Sequence, residues 1–255
     1  MPFGLSAAIA AIREEFFVEC ADGAPLLQEP HQLNDEVCRI KQGFEPDAGE
    51  PEVDVCHQRV CHAVVRHRAS KHVAGTVGLV LPAADTVEHI LPMQRACPSL
   101  LLSRPGIRDT AEVSRFLLSQ HLRTMGRASR GLLLLSLMRG VALLLHRHRV
   151  KQLCALMEPS LLRLLRTTGV HFQAVGAAVE YHGIRQPVIG TVAELFDRMR
   201  SSQPAVWDFV TDGGRLTNQD DDPDLMWFAE EANRFTTRTD IDNRGATHSM
   251  QRPSA

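Results

Sequence analysis

Val60-Cys61-His62-Ala63-Val64-Val65-Arg66 and Val73-Ala74-Gly75-Thr76-Val77-Gly78-Leu79-Val80-Leu81 are two apolar, β-branched runs separated by the polar stretch Arg68-Ala69-Ser70-Lys71. Two Val-rich runs joined by a short turn predict a β-hairpin. Pro82 closes the second run, because proline has no N–H to give to a ladder. Working outward, further strands are expected around Ala111–Leu117, Gln152–Met157, His171–Val175 and Val188–Ile189. Helices are expected over Ser6–Phe17, His31–Lys41, Thr86–Met93, Ser129–Arg147, Val192–Met199 and Ala205–Val210. One more, Pro159–Thr168, carries proline in its first turn and glycine, Gly169, just past its end. A hairpin-led sheet with helices interspersed predicts an α/β or α+β domain. Residues 1–30 are expected to form an N-terminal helix and linker, and residues 31–216 the domain. Residues 217–255 open on Asp220-Asp221-Asp222 and are expected to be a polar, partly disordered tail.

Bulk properties narrow the function classes. The chain has 255 residues, 44% hydrophobic and 23% charged, enough to bury a sizeable core. A net charge of -2 gives no electrostatic reason to expect nucleic acid or an anionic membrane as partner. Twelve histidines are scattered, and His146/His148 lack the further ligands a zinc site needs, so no metal is expected. The six cysteines, Cys20, Cys38, Cys56, Cys61, Cys97 and Cys154, show no CxxC and no disulfide framework. They read as reduced thiols, and Arg13, Glu14 and Glu15 interrupt the first apolar stretch, so a cytoplasmic location is expected. Gly131–Leu145 is strongly apolar, but it is shorter than the ~20 residues of a bilayer span and carries Arg139. A buried core helix is expected there, with no membrane span.

Three groups of residues stand in a set order. The first is Leu33-Asn34-Asp35-Glu36-Val37-Cys38, Gly43-Phe44-Glu45, Glu52-x-Asp54 and Val60-Cys61-His62. The second is Gly75-Thr76-Val77-Gly78-Leu79-Val80-Leu81-Pro82 with Glu112-Val113-Ser114-Arg115. The third runs from Met157-Glu158-Pro159 through Gly169-Val170-His171-Phe172 and Val179–Arg185 to Val206-Trp207-Asp208-Phe209 and Thr211–Arg215. Over about Leu33–Leu216 this set resembles the PEP-CTERM/exosortase-associated acyltransferases. Those are similar to the acyl-homoserine-lactone synthases and N-acyl amino acid synthases. The resemblance implies a GNAT-like N-acyltransferase fold: a twisted mixed sheet splayed into a V-shaped cleft, with helices on both faces. It implies transfer of a fatty acyl group from acyl carrier protein, or acyl-CoA, to the primary amine of an amino acid or related small metabolite. Acyl-phosphopantetheine or acyl-CoA would be the co-substrate, with no tightly bound cofactor.

Acyl transfer to an amine needs a neutral nitrogen, and an α-amine with a pKa of about 7.7–8.0 is largely protonated at neutral pH. A carboxylate near the cleft answers that need. Glu112 is the candidate base, and strand alternation puts Ser114 on its face and Val113 with Arg115 on the other. A bulge would re-aim one of them. The bland alternative for Glu112 is a solvent-facing strand residue paired with a Lys or Arg. Arg115 suits an acceptor carboxylate through its planar guanidinium; the alternative is a structural ion pair. Glu52, Asp54 and Phe44 are carried to the acceptor pocket by resemblance. Arg123-Thr124-Met125-Gly126-Arg127-Ala128 matches the pyrophosphate-loop pattern Arg/Gln-x-x-Gly-x-Gly/Ala ahead of the apolar helix. Arg123, Gly126, Arg127 and Ala128 would hold the donor phosphate, with exposed amides at the helix start facing the anion. His62 and His182 read as catalytic or as core histidines.

Three positions depart from the family pattern. Asn34 stands where a basic residue is expected, His57 where a second acid is expected, and Gly78 where an arginine is common. They leave open a catalytically degenerate acyl-thioester-binding or regulatory protein on the same fold.

Overall fold

The computed structural model describes residues 2–21, 33, 60–81, 91–97, 109–119, 127–181 and 183–217. These all fall within one of the chain's two units, Met1–Gln219. The predicted helix His31–Lys41 and the tail beyond residue 217 lie outside the described residues, Leu33 apart.

Helix α1 (Pro2–Glu15) leads directly into strand β1 (Phe16–Ala21). The helix expected to reach Phe17 ends at Glu15, and a strand that local sequence does not predict begins at Phe16. Phe-Phe-Val-Glu-Cys-Ala is aromatic and β-branched, and the hairpin beside it supplies a ladder that outweighs the helical run before it. The expected hairpin is present as β2 (Val60–His67) and β3 (Val73–Val80), with β1 paired antiparallel to β2 from Phe16↔His67 to Ala21↔His62. The sheet therefore begins in the segment expected to be only helix and linker.

Next come α2 (Pro92–Ala96), β4 (Thr110–Leu118), α3 (Arg127–Arg147), β5 (Gln152–Met157) and α4 (Pro159–Thr167). The short strands β6 (Gln173–Ala174) and β7 (Val179–Glu180) precede β8 (Ile184–Thr191), α5 (Val192–Ser202) and α6 (Pro204–Thr211). Strand order is β1-β2-β3-β4-β5-β8-β6, with β7 paired to β8. The β4–β5 pair is parallel and the other pairings are antiparallel. A parallel neighbour requires a crossover, and α3 supplies it.

Helix α3 is apolar on nearly every side and is buried on one face of the sheet, with Leu133, Leu137 and Leu144 nearly inaccessible. Gly140 is where it meets the sheet, since a Cβ there would lie 2.9 Å from Ala63 Cβ. Arg139, the charge inside this helix, donates to the Phe209 carbonyl at 2.7 Å and to Asp212 Oδ1 at 3.0 Å. Burial alone would raise the Asp212 carboxyl, but Arg139 and Arg215 beside it hold it below the usual carboxylate range. Arg139 thus ties α3 to the end of α6. No helix among the described residues is long and apolar enough to cross a membrane.

Helix α4 stops at Gly169, whose φ of +89° no side chain adopts readily. A Cβ there would also lie 2.7 Å from Ser202 Oγ. Helix α5 starts at Thr191, whose hydroxyl accepts from the Glu194 N–H at 3.3 Å.

Candidate active site

The centre of the sheet is where regular pairing fails. Strands β4 and β5 pair only over Thr110↔Gln152, Ala111↔Leu153 and Glu112↔Cys154. Beyond that, β4 continues to Leu118 and β5 to Met157 without pairing to each other, so the two strands part in a V. On its other side β4 is irregular too. It pairs with β3 at Gly78↔Ser114 and again at Thr76↔Leu117, two residues on β3 spanning three on β4. This is a bulge, and Arg115 sits in it with φ 51°. A non-glycine residue in that region costs roughly 1–3 kcal/mol and is held there by its surroundings.

The bulge breaks the alternation expected from sequence. Glu112 and Ser114 keep one face, but Phe116, not Arg115, joins Val113 at the apolar cavity on the opposite face. That cavity, of about 60 Å³, lies against the splay. Val113 and Phe116 of β4 and Leu153 and Met157 of β5 line it, with Met138 of α3 and Met199 of α5 across from them.

On the other face Glu112 is 3% exposed. Its neighbours there are Val80 on β3 and Cys154 on β5, in a cluster that includes Leu91 and Met93. The Met93 N–H donates to Glu112 Oε2 at 2.7 Å. That N–H belongs to the first turn of α2, where backbone donors have no helical acceptor. Burial pushes the Glu112 carboxyl up to about 8, against the opposing pull of the Met93 N–H. Two thiols report the same surroundings: burial first, and then the charge of Glu112, raise both Cys97 and Cys154. The solvent-facing alternative for Glu112 fails, because the group is buried and its hydrogen bond comes from backbone.

Glu112, Ser114 and Arg115 are therefore brought to the mouth of the V. His62, 1% exposed, pairs with Gly78, which pairs with Ser114, so the three form one cross-strand row. Arg127 and Ala128 open α3 as its first residues. Phe44, Glu52, Asp54, Arg123 and Gly126 lie outside the described residues, as do Asn34, His57 and His182. Cys97, Cys154, Phe116 and the Met93 amide were not singled out from sequence. A parallel neighbour for β4 was implied by the strand–helix–strand order, and it would have pointed to Cys154. Among the described residues no cluster of three His, Cys, Asp or Glu is arranged to hold a metal ion.

No protein-family model matches the chain, and no curated protein matches it. Solved structures do. An N-acyl amino acid synthase from uncultured soil microbes (FeeM) aligns at 16% identity with a TM-score of 0.53, covering 74% of this chain and 97% of that one. BjaI, a CoA-dependent acyl-homoserine lactone synthase solved with SAM and isopentyl-CoA, aligns at 17% identity and a TM-score of 0.52, covering 85% and 97%. TofI, in a ternary complex with an inhibitor and MTA, aligns at 18% and 0.51, covering 75% and 99%. At such identities the likeness is one of fold. The chain has the GNAT-like α/β fold, a multi-stranded, mostly antiparallel sheet with helices packed on it.

Proposed function

We propose that this protein is an N-acyltransferase that moves a fatty acyl group from a thioester to a primary amine. The observation that carries the reading is the buried Glu112 at the point where β4 and β5 part, with an apolar cavity on the opposite face. A thioester lying in the V would present its carbonyl beside Glu112 and send its acyl tail through the gap into the cavity. The amine nitrogen attacks the carbonyl carbon, Glu112 takes the proton that nitrogen loses, and the C–S bond breaks, the leaving thiolate taking that proton from Glu112 to depart as the thiol. A carboxyl near 8 and an α-amine of about 7.7–8.0 are closely matched, so the proton moves between them at little cost. Backbone N–H groups of β4 past Glu112, re-aimed by the bulge, are suited to polarise the carbonyl.

The donor is acyl carrier protein or acyl-CoA, and the acceptor is an amino acid or related small metabolite. The ordered sequence motifs support a place beside the PEP-CTERM/exosortase-associated enzymes, and cysteines without a disulfide framework support a cytoplasmic one. Arg115, Phe44, Glu52 and Asp54 are assigned to the acceptor, and Arg123, Gly126, Arg127 and Ala128 to the donor phosphate. Ser114 is assigned beside Glu112.

A catalytically degenerate acyl-thioester-binding protein is the second reading, and Gly78 favours it. A side chain starting there would meet Val60 Cγ1 at 3.0 Å and His62 Cε1 at 3.5 Å, so the arginine common in the family would need Val60 to shift by a few tenths of an ångström. Mass spectrometry of lipid extracts from cells expressing the wild type or Glu112→Gln separates the two. N-acyl species made only by the wild type support the enzyme and identify chain and acceptor. Equal species from both remove Glu112 from the mechanism, and none in a host that supplies both short- and long-chain acyl carrier protein favours the binding protein.

A further inference from the structure

We infer that Met138 and Met199 form the wall that sets the length of acyl tail this protein accepts. The inference rests on the acyltransferase reading of the cavity and adds the residues that limit its substrate. The two methionines converge on the turn that ends α4. The Thr168 hydroxyl, which donates to the Leu165 carbonyl at 2.7 Å, lies 3.6 Å from Met138 Sδ, and a Cβ on Gly169 would lie 3.0 Å from Met199 Cα. Both side chains are buried, Met138 at 6% and Met199 at 2% exposure, and both line the cavity opposite Leu153 of β5.

Size decides what fits. A cavity of about 150 Å³ takes benzene, which is roughly 25 Å³ per carbon. At about 60 Å³, this cavity takes about two to three tail carbons on that scale. A longer tail must displace part of the lining. Branched and aromatic side chains have few other places to go, whereas methionine is unbranched, has three rotatable bonds and yields first. Substituting alanine removes about three heavy atoms per site and opens room for a similar number of tail carbons.

The test is binding of alkyl-pantetheine thioethers, which carry the arm common to coenzyme A and carrier protein but cannot transfer. Calorimetry should show wild-type affinity rising about fourfold per methylene over the first two to three tail carbons and then levelling. Met138→Ala and Met199→Ala should move that break outward, giving at least tenfold tighter binding of a tail about three carbons longer. Met→Leu at either site should leave the break in place. Should an alanine variant fail to fold, Met138→Phe and Met199→Phe provide the opposite arm, moving the break inward. A break that stays put in the alanine and phenylalanine variants overturns the methionine wall while leaving the acyl site standing. Absence of binding at every length in the wild type overturns both.

Discussion

Glu112→Gln should make the protein less active and more stable, and the second effect should grow with pH. Glu112 titrates at about 8 in the fold against an ordinary value of 4.5. Between those values the folded chain holds a proton that the unfolded chain has released. Stability therefore falls as pH rises, by about 1.4 kcal/mol per pH unit for a fully separated group. The sign is opposite to that of an ion-paired carboxylate. The penalty is absent below about pH 4.5, grows through the window and is complete above about 8, reaching an upper bound of about 5 kcal/mol. Glutamine has the same shape, keeps an oxygen for the Met93 N–H and never ionises. Urea unfolding of both proteins from pH 5 to pH 9 should give a difference that widens with pH in favour of glutamine. It should be smallest at pH 5 and flat above about pH 8. In the same series, wild-type kcat/KM should rise about tenfold per unit up to about pH 8, and Glu112→Gln should lose at least tenfold, about 1.4 kcal/mol of barrier. Parallel stability curves would refute the buried, protonated carboxyl, whatever the activities were.

Three further outcomes are expected, two from the fold and one from the sequence motif. Gly140→Ala places a methyl 2.9 Å from Ala63 Cβ in the α3–sheet contact and should cost about 1–3 kcal/mol in urea unfolding; no loss would mean the helix sits farther from the sheet. Arg115→Gly relieves a φ of 51° and should leave stability unchanged or raise it by up to about 1 kcal/mol, while raising the acceptor KM. An unchanged acceptor KM would return Arg115 to a structural role. Arg123→Ala should raise the donor KM with little change in kcat, and a donor KM equal to the wild type would sink the phosphate-loop assignment.

Much of the fold is legible because its elements have strong local signals. The β2–β3 hairpin follows from β-branched runs, strand β5 from an apolar run, and helix α4 from Pro159 and Gly169, with boundaries within a residue or so. Strand β1 was hidden because an Ala/Ile-rich helix runs into it without a glycine or proline between them, and only pairing with β2 marks the change. Likewise β8 is longer than its two-residue apolar signal, since Gln186 and Pro187 become strand by pairing with β5 and Arg185 by pairing with β7. The candidate base was legible as a residue but not as an environment. Its burial depends on Leu91 and Met93, which local sequence does not connect to β4.

The bulge at Arg115 is the least legible feature and the one that gives the site two sides. With unbroken alternation, Arg115 would occupy the Val113 face and place a guanidinium where the apolar cavity lies. One extra residue in β4 instead sends Phe116 there, and that face stays apolar. On the other face the same strand keeps Glu112 and Ser114 together, upstream of the irregularity. The end of the β4–β5 ladder at Glu112↔Cys154 then leaves a gap between strands at the level of the carboxyl. A buried carboxyl on one face and an apolar cavity on the other thus lie on either side of the point where the ladder ends. On the proposed acyltransferase reading, that arrangement suits a thioester, whose reactive carbonyl stands between a polar arm and an apolar tail.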